Sequence, residues 1–329
     1  MSPPSQDTMG TMLTTVRGSP ESFSSFSSLE AVMDCEPHLP SRIPGAVVLS
    51  APSISVLKQT ADDVYHRLNS EASYANQFIV VQNITQSLQA LLSGDDNPVG
   101  RYTRLTLDKQ HQRAVFRVMS SSDHERVTHR FMYCLLEKLH DIGIHRDYFY
   151  VEGITRFRGK FSEKEPDNAF TPLASLHDNP EWPSLVIETG LSESDAQLRN
   201  DAYWWFSNSD YKVNIVLLIS IKRQPELRVT FKLFNLRSAN TRVTRGLQAE
   251  VNRALSLDAT SAQTAPPSKP QSRLAAETTI VTATDVDNTP LKLPFETLMR
   301  RPPDPNTKEG DLIFTTDDLR YCCHSVFSA

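Results

Sequence analysis

Asp167 and Glu188 are the two residues whose type and setting best suit metal-assisted chemistry. Asp167 follows Pro166 where one expected strand ends, and Glu188 follows the apolar run Leu185-Val-Ile187, so each carboxylate is expected to leave a sheet where a strand stops. Phosphodiester hydrolysis by Mg²⁺ or Mn²⁺ needs hard oxygen ligands converging from rigid elements, because the ion takes carboxylates and water and must sit near the scissile phosphate. Either acid has a plainer reading, a solvated residue at a strand end or a carboxylate paired with a nearby arginine.

The elements that must position them follow from periodicity. Arg101 to Leu107 and Arg113 to Met119 suit a hairpin, with Ala114, Phe116 and Val118 alternating against Val115 and Arg117. Ser122-Asp-His-Glu125 has the form of a capping box, and Val127, Phe131, Leu135, Leu139 and Ile142 recur at helical steps until Gly143. Tyr148 to Phe157 and Lys160 to Phe170 read as extended. A helix from Ser192 to about Phe206 places Leu198, Ala202, Trp205 and Phe206 on one face, and Val213 to Ile221 reads as a central strand covered on both sides. In the next strand, Leu227, Val229, Phe231 and Leu233 alternate with Arg228, Thr230 and Lys232. The sum is an α/β fold, a mixed sheet with flanking helices.

The chain of 329 residues is expected to divide into a disordered Ser/Pro-rich stretch at 1–45, a helical extension at 46–98, a core at 99–250, a low-complexity linker at 251–277 and a C-terminal segment at 278–329 that docks on the core. In that last segment, Thr279 to Thr282 reads as extended and Thr316-Asp-Asp-Leu319 as the opening of a short helix.

Composition removes several function classes. A formal charge of −5 excludes binding of nucleic acid by bulk charge. Four cysteines with no C-x-x-C pair make neither a disulfide scaffold nor a zinc or redox motif, and the chain reads as intracellular, with nucleus and cytoplasm undivided. Cys322, Cys323 and His324 fall short of four metal ligands, and Cys134 reads as buried in its helix. The longest apolar run is under half of the roughly 20 residues a spanning helix needs, so no membrane partner is expected. No paired-histidine zinc motif, Walker loop or Rossmann glycine pattern occurs, and Trp204, Trp205 and Phe206 read as core rather than as a base-stacking platform.

Pro166-Asp167, about twenty residues of connection, then Val186-Ile187-Glu188-Thr189-Gly190 before a helix and an apolar strand resembles the PD-(D/E)XK nuclease superfamily, the restriction-endonuclease-like fold. The stretches EPDNAFTP, WPSLVIETGLSES, LRNDAYWWF and VNIVLLISI are similar to uncharacterised fungal members whose motif lysine is displaced. The resemblance covers about residues 100 to 240. It implies a mixed sheet flanked by helices, cleavage of nucleic acid, most of all DNA, and Asp167, Glu188 and the carbonyl of Thr189 as metal ligands. Glu125 would match the acid some members carry on their first helix, and its capping box explains it equally well. A catalytically degenerate member, binding nucleic acid or protein without chemistry, is the alternative, because Gly190 stands where the superfamily has its lysine. Arg199 on the following helix, Lys164 before Asp167 and Lys222 past the central strand are the available stand-ins. Arg199 is preferred as the phosphate holder, since arginine grips phosphate with two donors but is no base at neutral pH. From Lys212 to Arg245 eight basic residues face one acid, and Lys222, Arg223, Arg228 and Lys232 are the expected contacts to a nucleic-acid backbone.

Overall fold

The computed structural model describes residues 43–70, 76–94, 96–119, 122–153, 155–159, 162–174, 180–191, 195–223, 226–237 and 273–328. Apart from Ile43, Pro44 and Gly45, the expected disordered stretch lies outside them, and so do Arg242, Arg245 and residues 251–272 of the expected linker; the linker's last five residues, 273–277, are instead the start of a strand, Arg273–Val281.

The first sheet has six strands: β1 (Val47–Ser50), β2 (Phe78–Gln82), β3 (Thr103–Asp108), β4 (Arg113–Val118), β6 (Phe157–Arg158) and β7 (Glu163–Lys164), after β5 (Phe149–Glu152) has gone to the second sheet. Their spatial order is β1-β2-β4-β3-β7-β6, with β1 parallel to β2 and every other pair antiparallel. Helices α1 (Ile54–Asn69) and α2 (Gln86–Leu92) cover one face. Leu57, Ala61 and Val64 of α1 and Leu88 and Leu92 of α2 pack on Ile79, Val81, Leu105, Leu107, Ala114 and Phe116. Both helices start on a hydroxyl cap, Ser53 and Thr85, each accepting from the backbone N–H three residues on. The region 46–98 is therefore not simply helical. Two β-branched stretches within it pair as strands, and the sheet they start continues past residue 98 through β4 and β3.

The second sheet runs β13-β12-β11-β10-β9-β8-β5. Its strands are β8 (Asn168–Pro172), β9 (Leu185–Leu191), β10 (Ile215–Lys222), β11 (Arg228–Arg237), β12 (Arg273–Val281) and β13 (Val286–Asp287), together with β5. β9 and β10 are parallel, joined by α4 (Asp195–Asn208). β10 is the fourth strand of seven and is buried along nearly its whole length, as its unbroken apolar run requires. The long helix α3 (Ser122–Asp141) lies on one face, with Val127, Phe131, Leu135 and Leu139 against Ile187, Leu217, Ile219 and Phe231. Gly143, at φ +90°, turns the chain after it.

The C-terminal segment is more deeply incorporated than docking implies. β12 pairs with β11 over nine residues, and a two-stranded sheet of β14 (Leu291–Leu293) and β15 (Leu312–Phe314) follows, with helix α5 (Phe295–Met299) between them. The last helix, α6 (Thr316–Phe327), carries a capping box between Thr315 and Asp318 and packs beside α3. Phe314 stacks on Phe131 with centroids 4.5 Å apart.

A buried ion-pair centre between two sheets

Asp167 sits in the break between β7 and β8, at the point where the chain leaves the first sheet for the second. The expected single strand from Lys160 to Phe170 is two strands in different sheets, so Asp167 precedes a strand instead of ending one. Glu188 is the fourth of seven residues of β9, not its end, because Thr189-Gly-Leu191 continues the pairing with β10. Side chains alternate along β9, so Ile187 and Thr189 face α3 while Glu188 faces α4.

The two acids do come together, around a guanidinium. Arg117 Nη2 lies 2.8 Å from Asp167 Oδ2 and 2.5 Å from Glu188 Oε2. One nitrogen thus separates the two carboxylates. The remaining oxygen of Glu188 accepts from Trp205 Nε1 at 2.7 Å and lies 3.3 Å from Lys164 Nζ. Asp167 Oδ2 also accepts from the backbone N–H of Thr189 at 2.7 Å, and its Oδ1 is 3.6 Å from Arg104 Nε. A third acid, Asp201 of α4, hydrogen-bonds the Lys164 ammonium and lies 3.9 Å from Arg117 Nη1.

Three carboxylates therefore meet three cations, and the strand pattern explains the cations. Arg104 and Arg117 are direct cross-strand partners on β3 and β4, on the face of the first sheet turned away from α1 and α2. Lys164 of β7 pairs with Thr106, two residues along β3, and so shares that face. Like charges directly opposite one another repel, so this row needs the acids Asp167, Glu188 and Asp201 against it. The side chains of Asp167 and Glu188 are 1% and 0% exposed, those of Arg117 and Lys164 both 6%. Burial alone would raise the pKa of Asp167, but Arg117, then His124 and Arg104, hold it well below the usual carboxylate range. For Lys164, burial works against the charged form, and Asp201 and Glu188 outweigh it, so its pKa is raised.

The residue that α3 sends to this centre is His124, not Glu125. Glu125 is exposed, while the neighbouring His124 is buried, one helical step of rotation away. His124 Nε2 lies 2.7 Å from the Thr189 carbonyl oxygen, which can only accept, so Nε2 carries the hydrogen; the same atom is 3.2 Å from Asp167 Oδ2. Thr128, one turn on, meets Thr189 Oγ1 at 2.7 Å. The carbonyl of Thr189, expected to face a metal, is thus already engaged.

The residues as placed do not fit a divalent ion. Arg117 occupies the point between the two carboxylates, and an added cation would meet its positive charge at contact distance. Among the described residues no cluster of three or more His, Cys, Asp or Glu is arranged to hold a metal. An open pocket of about 430 Å³, lined by Gly143, Ile144, Tyr148, Leu173, Arg300 and Arg301 among others, includes none of the residues of this centre.

Of the stand-ins for the missing lysine, Lys164 reaches Glu188. The backbone of Arg199 belongs to α4, but its side chain lies outside the described residues. Trp204, Trp205 and Phe206 are all buried, and Trp205 also donates to Glu188, which accounts for an aromatic in this position beyond packing. The four expected backbone-binding residues gather along one hairpin: Lys222 pairs with Arg228 in register, Arg223 follows Lys222, and Lys232 lies four residues further along the same face of β11, beyond Thr230. Arg223 is paired with Asp123 at 3.1 Å. Arg104, Arg117, His124 and Asp201 were not expected here. Alternation had placed Arg117 opposite Phe116, on a face that a lone hairpin would leave in water, and nothing local indicated that a second sheet covers it.

A scan against protein-family models gives no match, and a search of curated proteins gives none either. Among the described residues, no helix is long and apolar enough to cross a membrane.

Proposed function

We propose that this chain keeps the two-acid arrangement of a nuclease-like fold but uses it as a structural ion-pair centre, and that it binds the phosphate backbone of nucleic acid without cutting it. The observation that carries this reading is the single nitrogen of Arg117 bridging Asp167 and Glu188 at 2.8 and 2.5 Å. A guanidinium there supplies the charge that a metal would, yet it brings neither an activated water nor an open coordination position. The hairpin of Lys222, Arg223, Arg228 and Lys232 offers the cationic surface, in a chain whose total charge of −5 makes any such contact local.

The test incubates the full chain with supercoiled plasmid and with single-stranded DNA in Mg²⁺ or Mn²⁺, beside Asp167→Ala and Asp167→Asn, and measures binding of a labelled duplex by fluorescence anisotropy. Equal background cleavage in all three, with binding that weakens in Lys222→Ala/Arg228→Ala, is the expected result. A second reading, metal-dependent hydrolysis, is favoured by Lys164, whose ammonium stands 3.3 Å from Glu188 Oε1 and could replace the lysine missing at Gly190. Metal-dependent nicking that disappears in both Asp167 variants would establish that reading and overturn the first.

A further inference from the structure

Cys134 on α3 and Cys322 on α6 bring their sulfurs to 4.0 Å across a buried helix contact, 188 residues apart in the chain. Both are core residues, 4% and 0% exposed. The contact is pinned on either side. One turn before Cys134, Arg130 Nη1 donates to the Tyr321 carbonyl at 3.0 Å and its guanidinium lies over the Tyr321 ring; one turn after it, Lys138 Nζ meets Asp318 Oδ2 at 2.7 Å. These pins hold the helices in register with the two thiols facing each other.

We infer that Cys134 and Cys322 form a built-in site for a disulfide that staples the C-terminal helix to α3 when the protein meets a peroxide. A disulfide needs about 2.05 Å between sulfurs, so the pair must close by about 2 Å. The two thiols are not equivalent. The hydrogen bond from Cys322 lowers the pKa of Cys134 against the opposing effect of burial, whereas Cys322 is raised by donating that bond and by burial. The neighbouring Cys323 is also buried and raised, and shares no such contact with Cys134.

Cys134 is the attacking sulfur, because it alone of the two residues keeps some exposure, 4% against 0%, and so is the one a peroxide meets first. Its thiolate bonds one peroxide oxygen, the O–O bond breaks, and hydroxide leaves to take up a proton, giving a sulfenic acid on Cys134. Cys322 sulfur then attacks the Cys134 sulfur, the S–O bond breaks, and the departing hydroxide takes the Cys322 proton as water. Two thiols lose two electrons and two protons; one peroxide becomes two waters.

The experiment exposes the full native chain to hydrogen peroxide, unfolds it with a thiol-blocking alkylator, and maps linked peptides by mass spectrometry without reduction. The expected result is a Cys134–Cys322 peptide in the native chain and in Cys323→Ser, its absence in Cys134→Ser and Cys322→Ser, and a melting midpoint about 5 °C or more higher in the oxidised native chain. All thiols recovered alkylated, linkage through Cys35 or Cys323 in its place, or linkage seen only in denaturant would each overturn the inference. Because the native chain alone decides the linkage, a variant that fails to fold leaves the result standing.

Discussion

Arg117 balances two carboxylates that would otherwise be charged, buried and close together. Removing one partner from a buried ion pair leaves an uncompensated charge, so Arg117→Met should lower stability by about 3–5 kcal/mol in denaturant unfolding. Adding Asp167→Asn and Glu188→Gln to that variant should recover part of the loss, since the acids then no longer repel. Asp167 itself gives stability a definite pH dependence. Its folded pKa is depressed, so its contribution is complete above the unfolded value of about 4 and is lost as pH falls towards the folded one. The urea midpoint should therefore drop more steeply between pH 5 and pH 3 in the native chain than in Asp167→Asn. Trp205→Phe keeps an aromatic group but removes both the donor to Glu188 Oε1 and part of a fully buried side chain, and should cost about 2–4 kcal/mol in urea unfolding.

At the level of elements, most of what forms locally could be read from the chain. The α3 stripe of Val127, Phe131, Leu135 and Leu139, the β3–β4 hairpin and the buried β10 stand where periodicity puts them. What misled was length. Phe78 to Gln82 is a five-residue strand set between two helices, inside the stretch 46–98 that was expected to be helical. Glu188 looked like a strand end because an acid follows three apolar residues, yet pairing with β10 carries β9 three residues further. The C-terminal helix is held by two kinds of contact, and they should differ in cost. Thr315→Ala removes one side of the capping box and should cost about 1 kcal/mol, while Phe131→Ala opens a cavity beneath Phe314 and Phe231 and should cost about 3–5 kcal/mol, both read from thermal or urea unfolding.

For the whole molecule, the charge centre joins two sheets. Arg104, Arg117 and Lys164 come from the first sheet, Glu188 from the second, and Asp167 from the segment passing between them. Such a centre selects one arrangement of the sheets, because any slip by one residue would turn the cations away from the acids. If the hairpin binds a nucleic-acid backbone, the affinity must depend on salt. Replacing Lys222 and Arg228 with alanine should lower the slope of log affinity against log salt by about 2, measured by anisotropy from 50 to 200 mM salt.

The amino-acid sequence by itself determined the α/β class, helices α3 and α4, the β3–β4 hairpin and the buried β10, and singled out Asp167 and Glu188, because alternation, helical spacing and caps are properties of neighbouring residues. Only the tertiary structure decided what the two acids face. Arg117 is 50 residues before Asp167 and 71 before Glu188, in a different sheet, and Arg104, His124 and Asp201 reach the centre from three further elements. Coulomb attraction depends on distance in space and on exclusion of water, and neither is written in the spacing along the chain.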